Sequence, residues 1–331
     1  MRRQSLLLIL LAAITGAFAA NGPSLRGLSL VSSRVIWASG THGTYLKTVD
    51  GGQHWTTATI PGAERLDLRD IKAFSASTAY ALAIASEGGI FKTTDGGAHW
   101  DEQNRGTGKD FFLDCLAFWN ANHGLALGDP SDGKFLLLRT SDGGKHWLPA
   151  DSLPPALPGE GAFAASGTTM VAARGGKLAW FGTGGPSGAR VFSTDDSGRT
   201  WHVVTTPMSG TTAGAGIFSL AFRDDRHGVA VGGDYTKPQT VARTAAWTDD
   251  GGANWQLSTV PPSGYRSGVA WVGGDTYVAV GTNGEDRSDS GGRTWQRTGE
   301  VGFNSVAAVP GAPSKRVIWA AGANGRLALA H

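Results

Sequence analysis

The chain has 331 residues, of which 50 are glycine, 12 tryptophan, 14 proline and one cysteine, and only 17% are charged. The lack of a Gly-x-y period excludes a collagen, and 40% apolar residues with aromatics throughout exclude a disordered chain. What remains is an all-β chain with many tight turns, and the single Cys115 permits no internal disulfide.

In chain order, the first feature is a leader. Arg2 and Arg3 precede an apolar run from Leu6 to Ile14, and Ala17-Phe18-Ala19 supplies a small-x-small cleavage site. These are the zones of a secretory signal peptide spanning 1–19, cut after Ala19. The run is short of the ~20 residues that a membrane helix needs, and no later apolar segment approaches that length. The chain from 20 to 331 is therefore expected as one domain in the periplasm or outside the cell, with no membrane span. Of the 29 Lys and Arg in the full sequence, two lie in the leader, so the remainder balances the 27 Asp and Glu. A nucleic-acid binder would show a basic excess, so none is expected as partner.

A four-position motif then recurs. It reads Thr48-x-Asp50-x-Gly52-x-x-Trp55 and returns with Asp95 and Trp100, with Asp142 and Trp147, with Asp196 and Trp201, and with Asp250 and Trp255. A sixth, degenerate copy reads Ser288-x-Ser290-x-Gly292-x-x-Trp295. Asp followed by glycines suits a hairpin turn whose side chain accepts from N–H groups within it, and Trp can cover the hairpin. These aspartates read as structural, not catalytic. Short apolar strands accompany each motif, among them Val35–Ala38, Ala79–Leu82, Gly124–Leu127, Leu178–Phe181, Gly228–Val231, Thr276–Ala279 and Val317–Ala320. Seven units of about 45 residues, each with four short antiparallel strands, predict a seven-bladed β-propeller. The last unit ends without a fourth strand, so Ala20 to Leu25 are expected to supply one and close the ring.

The repeats resemble the Asp-box, or BNR, repeats of the sialidase-like propeller superfamily. The single-domain exported layout is similar to the photosystem II stability/assembly factor-like proteins of bacteria. That resemblance implies peripheral boxes without catalytic meaning and a role in assembling or stabilising an envelope protein complex. Ser290 and the missing seventh box depart from the family pattern.

Alternating strands put the boxes on one rim and the irregular segments on the other: Gly128 to Lys134, Leu148 to Glu160, Gly182 to Ala189, Thr205 to Gly216 and Gly233 to Ala242. Binding residues collect on such loops, so blades three to five are the expected working sector. The candidates on that rim are Asp129, Glu160, Arg190, Asp234 and Tyr235 in this sector and Tyr265 and Arg266 before the first strand of blade six, with Arg69 and Asp70 as the blade-two equivalents of the last pair. The expected partner is a protein or a glycan polymer, bound by a monomer.

A glycoside hydrolase or glycan-binding protein of the sialidase clan is the alternative. Arg69, Arg190 and Arg266 would then grip a carboxylate, with Tyr265, Glu160 and Asp129 as the reacting groups. The Arg-Ile-Pro element of sialidases is missing, however, and Arg34-Val35-Ile36 only echoes it. No metal or other cofactor is expected. His54, His99 and His146 fall one per blade, and Gly182-x-Gly184-Gly185 is not followed by a helix pattern. Cys115 alternates into an apolar strand and reads as core.

Overall fold

The computed structural model describes residues 22–85, 87–106, 111–173, 175–309 and 317–330. The leader expected at 1–19 lies outside the described residues, as do Ala20 and Asn21. The described residues form seven antiparallel sheets in a ring, six of four strands and one of three. The seven-bladed propeller read from the repeats is thus the fold, and no helix occurs among the described residues.

Burial follows position within each blade. Second strands such as Ile36–Gly40 and Ala179–Gly182 are buried at every residue, because both sheet faces are covered by neighbouring blades. Fourth strands such as Thr56–Thr59 face solvent and are polar. The apolar core is accordingly a series of inter-blade clusters, for example Trp37 and Tyr45 of blade one with Leu68 and Ile71 of blade two.

All six boxes fold alike. Thr48 Oγ1 donates to Asp50 Oδ1 at 2.7 Å, while the N–H of Gly52 donates to Thr48 Oγ1 and that of His54 to Asp50 Oδ1, both at 3.0 Å. Gly51 and Gly52 sit at φ 81° and 89°, which an L side chain resists. In the sixth box Ser290 Oγ accepts from the Thr294 N–H at 2.9 Å, doing the aspartate's work. His54, His99 and His146 each bond the aspartate of their own box.

The box tryptophans cover the joint to the preceding blade as well as their own hairpin. Trp100 packs edge-on to Trp37 of blade one, and Trp55 edge-on to Trp319 of blade seven. Box carbonyls receive bonds across the same joints: Lys47 Nζ donates to Gly96 O at 2.6 Å, Tyr45 Oη to Gly97 O at 2.8 Å and Trp180 Nε1 to Gly251 O at 2.8 Å. Each repeat is therefore a turn and a clasp at once.

Blade seven departs from expectation. Its strands are Ser305–Ala308, Ile318–Ala321 and Leu327–Leu329, and Gly22–Ser24 form no strand beside them. Instead the N–H of Gly325 donates to Pro23 O at 2.6 Å and that of Leu25 to Gly322 O at 3.0 Å, so this segment binds the turn before the third strand. The ring is closed by face packing of Leu25, Leu28 and Leu30 on Trp319, Ala321 and Leu327, and by Asn304 Nδ2 donating to Leu25 O at 2.8 Å.

Candidate functional site

Four blades carry the same irregularity in their first strand. The pairing register slips between Leu25 and Gly27, between Leu68 and Asp70, between the partners of Leu113 and Cys115, and between Ile217 and Ser219. A bulge leaves one residue unpaired and re-aims its side chain. The residues so released are Arg26, Arg69, Asp114 and Phe218, and all four line one chamber of about 440 Å³ at the channel mouth.

The floor of that chamber is the chain itself. Residues 161–169, leading into the short first strand of blade four (Met170–Ala172), touch blade two and blade five at once. Arg69 Nη1 donates to Ala164 O at 2.9 Å and Lys72 Nζ to Gly167 O at 2.7 Å. On the other side Thr168 and Ser219 share a hydroxyl bond of 2.6 Å, and Thr169 Oγ1 donates to Phe218 O at 3.0 Å. Blades two and five are not neighbours, so this strap crosses the channel. Gly167 makes the crossing feasible: at φ 72°, a Cβ there would sit 2.1 Å from Asp70 Oδ1. Below the strap a second chamber of about 420 Å³ is lined by Ser29, Lys72, Asn120 and Val171.

A third cavity, of about 450 Å³, adjoins the upper chamber above blades three to five and shares Asp129, Ala162, Phe163 and Tyr235 with it. Three glycines keep its wall thin: Gly184 pairs with both Gly161 and Gly216, and a Cβ on Gly184 or Gly216 would lie within 2.5 Å of the other's Cα. The segment expected as a loop from Gly128 to Lys134 is mostly strand. The second and third strands of blade three run His123–Ser131 and Lys134–Thr140, joined by Asp132 and Gly133 at φ 52° and 72°.

The sequence candidates divide by what already holds them. Glu160 is buried and accepts from Arg190 Nε at 2.8 Å, from Arg190 Nη2, from Thr183 Oγ1 at 2.5 Å and from the Leu157 N–H at 2.8 Å. Arg190 spends its remaining reach on Pro155 O. Arg266 is fully buried, donating to Asp286, to Asn283 Oδ1, to Ser263 Oγ and to Tyr265 O. Asp234 accepts from the Thr236 N–H at 2.9 Å and from the Thr236 and Thr212 hydroxyls, and these bonds hold its carboxyl below the usual range against its partial burial. These four residues fasten loops.

Asp129, Tyr235 and Tyr265 do face the cavities. Asp129 sits at a bulge between Gly128 and Pro130 and accepts one bond, from the Ala162 N–H at 3.2 Å; burial pushes its carboxyl up. Tyr235 is 55% exposed. Tyr265 meets Phe218 edge-on at 4.8 Å, and burial raises its hydroxyl. Phe163 stacks on Phe218 with centroids 3.8 Å apart. Of the three arginines that a sialidase reading requires, only Arg69 lines the chamber, and its Nε is bound to Asp67 at 2.7 Å.

Arg26, Asp114, Phe163 and Phe218 are not among the sequence candidates, although for three of them a signal exists. Leu25-Arg26-Gly27-Leu28, Leu68-Arg69-Asp70-Ile71, Leu113-Asp114-Cys115-Leu116 and Ile217-Phe218-Ser219-Leu220 share a frame in which the second residue is the bulged one.

The sequence profile described as Photosynthesis system II assembly factor YCF48 matches residues 67–215. Among curated proteins none matches the chain. Solved structures that resemble it include YCF48 bound to D1 peptide, at 15% identity and TM-score 0.64, covering 95% of each chain. YCF48 from Cyanidioschyzon merolae aligns at 16% identity and TM-score 0.63, covering 97% of this chain and 99% of that one. At such identities the likeness is one of fold, and U3-55K, at 12% identity and TM-score 0.60 over 92% and 90% of the two chains, shares it too. Six box turns on seven blades, with that profile matched across blades two to four, make the chain a seven-bladed β-propeller that is similar over part of its length to the photosystem II assembly factor-like proteins.

Proposed function

We propose that the protein is a non-enzymatic, protein-binding scaffold, exported by its leader, that helps assemble or stabilise a complex of the cell envelope. The observation that carries this reading is the pair of contiguous open cavities on the loop-rich rim of blades three to five, sharing Asp129, Phe163 and Tyr235. The charges around them that would serve catalysis, Glu160, Arg190 and Arg266, are bound to one another or to loop groups. A concave site walled by aromatics with few free polar groups suits recognition of a chain segment. The matching profile and the peptide-bound structural relative support a polypeptide as the partner.

The test is affinity capture from the envelope fraction of the producing cell, with partners identified by mass spectrometry, for the native chain and for Tyr235→Ala combined with Asp129→Ala. A partner kept by the native chain and lost by the folded double variant is the expected result. Turnover of a glycoside panel, abolished by Asp129→Ala, would replace this reading with that of a glycan hydrolase.

A further inference from the structure

Among the described residues, the upper chamber holds two charged side chains with no hydrogen-bonded partner. Neither Arg26 nor Asp114 bonds any described side chain or carbonyl, and Arg26 Nε and Asp114 Oδ2 are buried with nothing to satisfy them. Buried polar groups are almost always hydrogen-bonded, so such exceptions call for a cause. Arg69 beside them is different, since Asp67 and Ala164 O already occupy it. Burial, and after it the neighbouring Asp129, pushes the Asp114 carboxyl well up, while burial raises Asp129 as well. Burial thus disfavours the charged form of both carboxyls; burial, and after it Arg69, lowers Arg26 as well, and the carboxylate acting against them is Asp67, which Arg69 already binds. Around Arg26 stand Phe163 stacked on Phe218, with Tyr265 edge-on and Tyr235 at the rim.

We propose that this chamber binds an aromatic carboxylate, its carboxylate taken by the Arg26 guanidinium and its ring lodged among Phe163, Phe218 and the two tyrosines. A planar guanidinium matches a carboxylate with two parallel bonds, and an aromatic ring gains offset or edge contacts from such walls. The chamber, at about 440 Å³, lies within the range of small-ligand sites. Two sources carry this chemistry: a free aromatic acid, or the C-terminal aromatic residue of a polypeptide. The site stands on these residues alone and does not depend on the envelope partner proposed above.

Calorimetric titration of the purified protein with phenylacetate, N-acetyl-L-phenylalanine, N-acetyl-L-phenylalanine amide and acetate tests it. The two aromatic acids bind saturably, and the amide and acetate at least tenfold more weakly. Tighter binding of N-acetyl-L-phenylalanine than of phenylacetate assigns the polypeptide terminus, and the reverse order the free acid. Arg26→Gln loses binding at least tenfold with an unchanged circular-dichroism spectrum, and Tyr235→Ala, at an exposed position, loses it severalfold. The proposal fails if neither acid binds at millimolar concentration, if the amide binds as well as the acid, or if folded Arg26→Gln binds as the native chain does.

Discussion

Tyr80, in the second strand of blade two, donates its hydroxyl to the carbonyl of Gly143 in the box of blade three at 2.6 Å. Lys92 of the same blade reaches that carbonyl at 2.6 Å as well, so one turn of one blade anchors two side chains of the one before it. The ring is thereby tied at its box rim by polar bonds as well as by apolar faces.

Tyr80→Phe removes one such tie while keeping the ring in place, and should cost about 1 kcal/mol, the usual net worth of a hydrogen bond. Urea unfolding of the two proteins measures it. An unchanged midpoint would show that Lys92 alone serves the joint.

The boxes make the fold sensitive to acid. The His54 and His99 N–H groups hold Asp50 and Asp95 well below the usual carboxylate range, and the His146 side chain and N–H bring Asp142 to about 2. A depressed carboxyl contributes stability that is present above its unfolded value and is lost as pH falls through its folded value. Stability should therefore decline from about pH 4 towards pH 2. Ser290→Asp completes the sixth box; it should raise the melting temperature at neutral pH and lose that gain over this same interval.

Glu160→Ala should behave as a folding defect and not as a binding defect. It strands Arg190 in a buried site, where breaking a pair typically costs about 3–5 kcal/mol. Asp234→Ala, which loses loop bonds near the surface, should cost nearer 1 kcal/mol. Chemical denaturation of the two variants side by side distinguishes them, and equal losses would contradict the distinction between a buried pair and a loop fastening.

Ring closure at the junction of blades one and seven should be the weak point of the circle. Asn304→Ala removes bonds to Leu25 O and Ser24 Oγ and should lower the melting temperature by a few degrees, as should deletion of 20–26. Hydrogen exchange should rise first in Leu327–Leu329, the outermost described strand of blade seven.

The blade count was legible because every blade repeats one turn, and turns are local: Thr, Asp, Gly and Trp at fixed offsets dictate their own hydrogen bonds. The rim was legible from strand alternation. Contacts between distant segments were not. Glu160 and Arg190 look alike whether they face a ligand or each other, and only the fold brings them together. The strap at 161–169, rich in alanine, glycine and hydroxyl residues, has no period to betray that it leaves its blade for the channel. Arg26 and Asp114 are single charges in apolar strands, and what aims them inward is a slip of register that no single residue encodes.

That strap changes what the ring can admit. An open propeller offers a tunnel with two ends, through which a long chain can be drawn. Here the passage is barred midway between blades two and five, so a visitor to the upper side must enter and leave by the same door. On the binding role proposed above, such a visitor would be a tip or a short loop, released by backing out, and not a filament tracked along its length.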